Sequence, residues 1–101
     1  MKIIKTVRAK QDIKDISAYI ADHSFEAGQH FILAAESSIT TIAANPYIGV
    51  RLKLKSSRLV HVRMWHVENY RKYIIFYSIE KDKVIVLKVF HSYLDYTRIF
   101  H

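Results

Sequence analysis

The stretch Leu59 to His91, LVHVRMWHVENYRKYIIFYSIEKDKVIVLKVFH, decides the fold. Two polar breaks, Val67-Glu68-Asn69 and Glu80-Lys81-Asp82-Lys83, divide runs dense in Val, Ile, Tyr and Phe, residues that suit a pleated, half-buried surface. Three consecutive strands with short turns make an antiparallel meander. Cations and imidazoles sit inside the runs: His61, Arg63, Trp65 and His66 share the first, Arg71 and Lys72 the second, Lys88 and His91 the third. Strict alternation puts His61, Arg63 and Trp65 on one face of the first strand, opposite Val60, Val62 and Met64.

Upstream the pattern turns helical. Lys2 to Val7 is short and β-branched and reads as a first strand. From Ala9 to Asp22, Ile13, Ile16 and Ile20 recur at helical spacing with Tyr19 beside them, while Lys10, Asp12, Lys14 and Asp15 are expected to face outward. His23-Ser24 interrupts this helix, and Ser24 is suited to cap a second one because its hydroxyl accepts an orphan backbone N–H. Phe31, Ala35, Ile39 and Ile42, widened by Ile32 and Ala43, form the apolar stripe of that helix, which Asn45-Pro46 ends. Pro46-Tyr47-Ile48-Gly49 reads as a turn, and Val50 to Arg58 as a basic connection through Arg51, Lys53, Lys55 and Arg58. The expected architecture is α+β, in the order β-α-α-β-β-β, with an antiparallel sheet packed against an N-terminal helical hairpin.

The length of 101 residues predicts one domain over 1–101 with little surplus core. Half of the residues are hydrophobic and glycine and proline together number three, which argues against disorder. There is no cysteine and no apolar run approaching the roughly 20 residues of a membrane span, so a cytoplasmic protein without a membrane segment is expected. The net charge of +7 is unevenly placed: Met1 to Ile48 holds five Lys/Arg and five Asp/Glu, Gly49 to His101 eleven and four. A basic half of this kind favours a polyanion or an acidic protein partner, against the plainer reading of a surface tuned for solubility.

Several chemistries drop out. The six histidines, His23, His30, His61, His66, His91 and His101, show no HxxxH or HxH spacing and have no cysteine to complete a zinc site, so neither metal nor cofactor is expected. No Gly-x-Ser-x-Gly elbow exists, and Gly28 and Gly49 alone cannot build a phosphate-cradling loop. Metal-free chemistry or binding on a phosphodiester remains. Cleaving RNA without a metal requires a proton acceptor for the 2'-hydroxyl, a proton donor for the leaving oxygen, and a cation for the phosphorus charge. The meander holds such residues in His61, Arg63, Arg71 and His91, although a cationic sheet face pairing with Asp95 or Glu68 accounts for them equally well. Tyr70, Tyr73, Tyr77 and Phe76 read as core and cross-strand packing rather than stacking platforms.

The chain resembles the RelE/ParE superfamily of bacterial type II toxins. Asp12-Ile13-x-x-Ile16-x-x-Tyr19-Ile20 is similar to the first-helix signature, and Asn45-Pro46-Tyr47-Ile48-Gly49 to the turn after the second helix. Tyr70-Arg71-x-x-x-x-Phe76-Tyr77 is similar to the central strand, and Val84 to His91 with Asp95 four residues later to the last strand and its tail. The resemblance implies the same strand and helix order, and a cognate antitoxin whose disordered, acidic segment folds as it wraps the toxin. ParE-like members poison DNA gyrase and have no catalytic machinery, whereas RelE-like members are ribosome-dependent mRNA endonucleases. The helical signature, the turn and the His-x-x-x-Asp ending look closer to ParE, which implies a non-enzymatic gyrase inhibitor linked to growth arrest and plasmid stabilisation. Under the mRNA-cleavage alternative, Arg63 and Arg71 hold phosphate charge and His91 moves the proton. In either case the binding surface is expected at His61, Arg63, Trp65, Arg71, Lys88, Tyr93 and Asp95. Ser92 and Leu94 depart from the family in lacking an early-tail arginine. Surface otherwise covered by antitoxin also leaves room for a homodimer. A third reading, outside toxins, is a basic nucleic-acid-binding module.

Overall fold

The computed structural model describes residues 1–51 and 61–92. They form β1 (Lys2–Lys5), α1 (Val7–Ala21), α2 (Phe25–Ala44), a single 3-10 turn at Pro46–Ile48, β2 (Val50–Arg51), β3 (Val62–Val67), β4 (Tyr70–Glu80) and β5 (Lys83–His91). The sheet order is β1-β5-β4-β3-β2. The expected β-α-α-β-β-β arrangement is present, with two differences. First, the sheet is mixed: β1 runs parallel to β5, with Ile3 beside Val84 and Ile4 beside Ile85, while the helical hairpin carries the chain from β1 to β2 at the opposite edge. Second, Val50 and Arg51, read as the start of a basic connection, pair with Met64 and Arg63 as a short edge strand. The rest of that connection, with Lys53, Lys55 and Arg58, and Leu59 and Val60 at the head of the meander, lie outside the described residues.

Both polar breaks become tight turns, with Asn69 at φ 66° and Lys81 at φ 56°, the left-handed region that two-residue hairpins use. Ser24 caps α2 as expected, its hydroxyl accepting from Ala27 N–H at 3.2 Å. The helical hairpin is drawn tight at Gly28. Ser17 Oγ donates to the Gly28 carbonyl at 3.0 Å, and a Cβ on Gly28 would sit 2.8 Å from the Ser17 carbonyl oxygen. The main core lies between the helices and one sheet face, where Phe31, Ala35, Ile39 and Ile42 of α2 meet Ile75, Tyr77, Val84, Val86 and Val89. Phe31 stands edge-on to Tyr70 and Tyr73, with ring centroids 5.2 and 5.1 Å away. A second cluster of Val62, Phe76 and Phe90, with Met64, Ile74 and Leu87 around it, occupies the other face.

Two expectations about α1 change. Tyr19, placed beside the apolar stripe, is 60% exposed. Asp12, expected to face outward, is turned to the sheet. β5 continues beyond the end of β1 at Lys5, so its backbone edge past Val86 has no strand beside it. Thr6 and Asp12 take its place. Thr6 Oγ1 donates to the Leu87 carbonyl at 3.0 Å while accepting from Ala9 N–H at 3.0 Å, so one hydroxyl caps the helix and the strand together. Asp12 Oδ2 accepts from Val89 N–H at 3.0 Å, and Arg8 Nε donates to Asp12 Oδ1 at 2.9 Å. Leu87 is the extra residue of a bulge, since Phe76 pairs with Lys88 but Tyr77 with Val86. Asp12→Ala leaves the Val89 N–H without its acceptor and is expected to lower the unfolding free energy by about 1–3 kcal/mol in urea titrations, with Asp12→Asn recovering most of the loss.

Candidate functional site

The turn after α2 is built on one buried phenol. Tyr77 projects from the middle of β4 towards the helices, and its ring is fully buried. Its hydroxyl donates to the Pro46 carbonyl at 2.6 Å and accepts from Gly49 N–H at 2.9 Å. Arg63 Nη1 then donates to the Gly49 carbonyl at 2.8 Å, with the guanidinium carbon 5.1 Å from the centre of the Tyr47 ring. Both backbone groups of Gly49 are therefore used. No larger residue fits there, because a Cβ would overlap the Tyr77 hydroxyl and lie 2.8 Å from the Met64 carbonyl oxygen. Burial pushes the Tyr77 hydroxyl above its ordinary pKa of 10.0, with the Gly49 N–H and the Arg63 charge pulling the other way.

The residues singled out in the sequence are spread over the sheet. Arg63 and Trp65 share the helix-side face of β3, with Arg63 committed to the turn and Trp65 half-buried against the main core. His61 is exposed and precedes β3. Arg71 is exposed at the start of β4, and Lys88 Nζ lies 5.8 Å from the Phe90 ring centre on the opposite face. His91, half-buried, meets Tyr73 edge-on at 4.9 Å. Tyr93 and Asp95 lie outside the described residues. Arg63 pairs with Tyr77 and His91 with Tyr73, which separates them by about 13 Å along the strands and about 10 Å across. Arg71 and His91 thus lie towards one end of the sheet and Arg63 towards the other. Among the described residues no group of three or more His, Asp or Glu is placed to hold a metal ion. Sequence reading missed Tyr47, which is 70% exposed under the Arg63 guanidinium, and Arg51, the cross-strand partner of Arg63. The turn motif was the available signal for Tyr47.

The model of a family described as the ParE toxin of the type II toxin-antitoxin system, parDE, matches residues 3–96. The chain belongs to the ParE toxin family. A solved chain from the chromosomal ParDE TA system of P. aeruginosa shares the fold, with a TM-score of 0.72 at 15% identity, covering 90% of this chain and 95% of that one. Among curated protein sequences no significant match is found. Membership of a two-component toxin family implies a cognate antitoxin for this ParE chain. No helix among the described residues is long and apolar enough to cross a membrane.

In this ParE toxin the Pro46-Tyr47-Ile48-Gly49 turn is a fixed part of the fold, locked from beneath by Tyr77 and from the side by Arg63. Tyr77→Phe removes the acceptor for Gly49 N–H and is expected to cost about 1–3 kcal/mol of stability. Because the folded-state pKa of Tyr77 is raised, its stabilising contribution is full below pH 10.0 and is lost as pH climbs through the folded value. Denaturant midpoints measured up to and beyond pH 10.0 should therefore fall less steeply for Tyr77→Phe than for the unaltered chain.

Proposed function

We propose that this ParE toxin inhibits DNA gyrase as a binding poison and is held inactive by an acidic segment of its cognate antitoxin. Membership of the ParE family over residues 3–96 carries the reading. The geometry divides the residues of the catalytic alternative, with Arg63 apart from His91. Metal-free cleavage needs a cation and a proton carrier on the same phosphodiester. Here the Arg63 guanidinium is held by the Gly49 carbonyl and the Tyr47 ring, so Arg71 is the one cation of the catalytic alternative that lies at the end of the sheet where the His91 ring packs against Tyr73. The histidine is part of the packing of β4 on β5, and Arg63 is part of the turn.

A protein partner is favoured by the surface as well. On the helical hairpin, Tyr19, Phe25 and Leu33 are 60, 73 and 67% exposed, apolar area of the kind that a partner covers. The net charge of +7, concentrated after Gly49, suits an acidic polypeptide. The test is a gyrase reaction on supercoiled plasmid with purified toxin, read after detergent and protease treatment. Linear DNA that accumulates with toxin, disappears on adding antitoxin, and persists with His91→Ala is the expected result. A toxin that arrests growth yet leaves gyrase unaffected, and loses toxicity with His91→Ala while staying folded, would overturn the proposal in favour of mRNA cleavage.

A further inference from the structure

Resting on the reading of an acidic antitoxin segment given above, we propose that this segment pairs as an extended strand with the outer edge of β1, adding a strand to the five-stranded sheet. β1 is an edge strand and β5 is its one neighbour in the sheet order. Lys2 N–H donates to the Asp82 carbonyl at 3.0 Å and Thr6 N–H to the Val86 carbonyl at 3.1 Å. Alternation therefore turns the N–H and C=O groups of Ile3 and Lys5 away from β5, to a side where no strand meets them among the described residues. Ile3 and Ile4 point to opposite faces and are 39 and 43% exposed. No proline interrupts Lys2–Lys5, and its register with Lys83 to Val86 is continuous. A row of open backbone groups between two half-covered isoleucines is a template for one more strand.

Charge selects the occupant. From Lys2 to Gln11 the chain carries four Lys/Arg and no Asp/Glu. Lys5 is held by Glu36 at 2.7 Å and Arg8 by Asp12 at 2.9 Å, whereas Lys2 is in no ion pair among the described residues. In the ladder Lys2 lies beside Lys83, whose other neighbour is Glu80. An Asp or Glu of the incoming strand, opposite Lys2, relieves that pair of cations, and apolar residues opposite Ile3 and Ile4 cover the isoleucines. A second copy of β1 would instead bring two more lysines and no carboxylate to the same edge. The lysines that keep β1 from pairing with itself thus admit an acidic strand. A polynucleotide would meet the charge but has no ladder of N–H and C=O groups to offer the backbone.

The experiment compares amide hydrogen exchange, resolved by NMR, in the full-length toxin alone and in its complex with the cognate antitoxin. The Ile3 and Lys5 amides are expected to exchange at least about tenfold more slowly in the complex. Pointing outward, they meet water in the folded state, so stabilisation by an antitoxin bound elsewhere leaves them fast. Ile3→Pro removes one outward N–H and no hydrogen bond to β5, and should weaken toxin–antitoxin affinity by about tenfold. Lys2→Glu, at an exposed position, should weaken it by about threefold, and more at low salt. A tight complex in which Ile3 and Lys5 exchange as fast as in the toxin alone would overturn the β1 edge and leave the antitoxin reading standing. Failure to form any complex would remove both. Slowing of the same amides in the toxin alone as its concentration rises would overturn the proposal in favour of a second copy. The exchange comparison uses the unaltered chain, so it decides the matter even if Ile3→Pro folds poorly.

Discussion

The buried hydroxyl of Tyr77 is the constraint on which the arrangement of this toxin turns. A phenol placed in the middle of a core must find partners for its oxygen, because leaving a buried hydroxyl unsatisfied costs about 1–3 kcal/mol. The partners come from the backbone just after α2, the Pro46 carbonyl and the Gly49 N–H. Satisfying one side chain on β4 therefore fixes where α2 ends relative to the sheet, and requires that the residue at the closest approach be glycine. Arg63 is drawn into the same unit through the Gly49 carbonyl. A cation that composition alone would assign to a ligand becomes a structural strut.

A related economy governs the other side of the sheet. β5 outruns its parallel neighbour, and the exposed backbone edge is completed by a hydroxyl and a carboxylate from the start of α1. Thr6 and Asp12 thereby tie the helical hairpin to the strand that ends at His91. The orientation of the helices, the bulge at Leu87 and the placement of His91 against Tyr73 are one linked set of contacts.

Much of this was legible in the sequence where the determinants are local. The Ser24 cap, the apolar stripe of α2 and both hairpin turns follow from short-range periodicity and turn chemistry, and all are found. The failures are non-local. Asp12 looks like a surface residue because its helical neighbours are polar, and only the unequal lengths of β1 and β5 give it a buried N–H to accept. The parallel pairing of β1 joins the two ends of the described chain, Lys2–Lys5 and Lys83–His91, and nothing local to Lys2–Lys5 announces its partner. For β3, alternation grouped Arg63 with Trp65 correctly but could not say which face met the helices, since Val62 and Met64 opposite them join a second apolar cluster. Tyr47 escaped notice because a tyrosine in a turn motif carries no sign of the arginine that comes to lie over it.

The most direct test of gyrase as the cellular target is to induce the toxin in growing cells and, on the same culture, quantify gyrase trapped covalently on chromosomal DNA and map the 5' ends of messenger RNA. A binding poison predicts trapped gyrase that rises with toxin and messages without new internal ends. New ends concentrated within translated codons, with gyrase no more trapped than in uninduced cells, would contradict it.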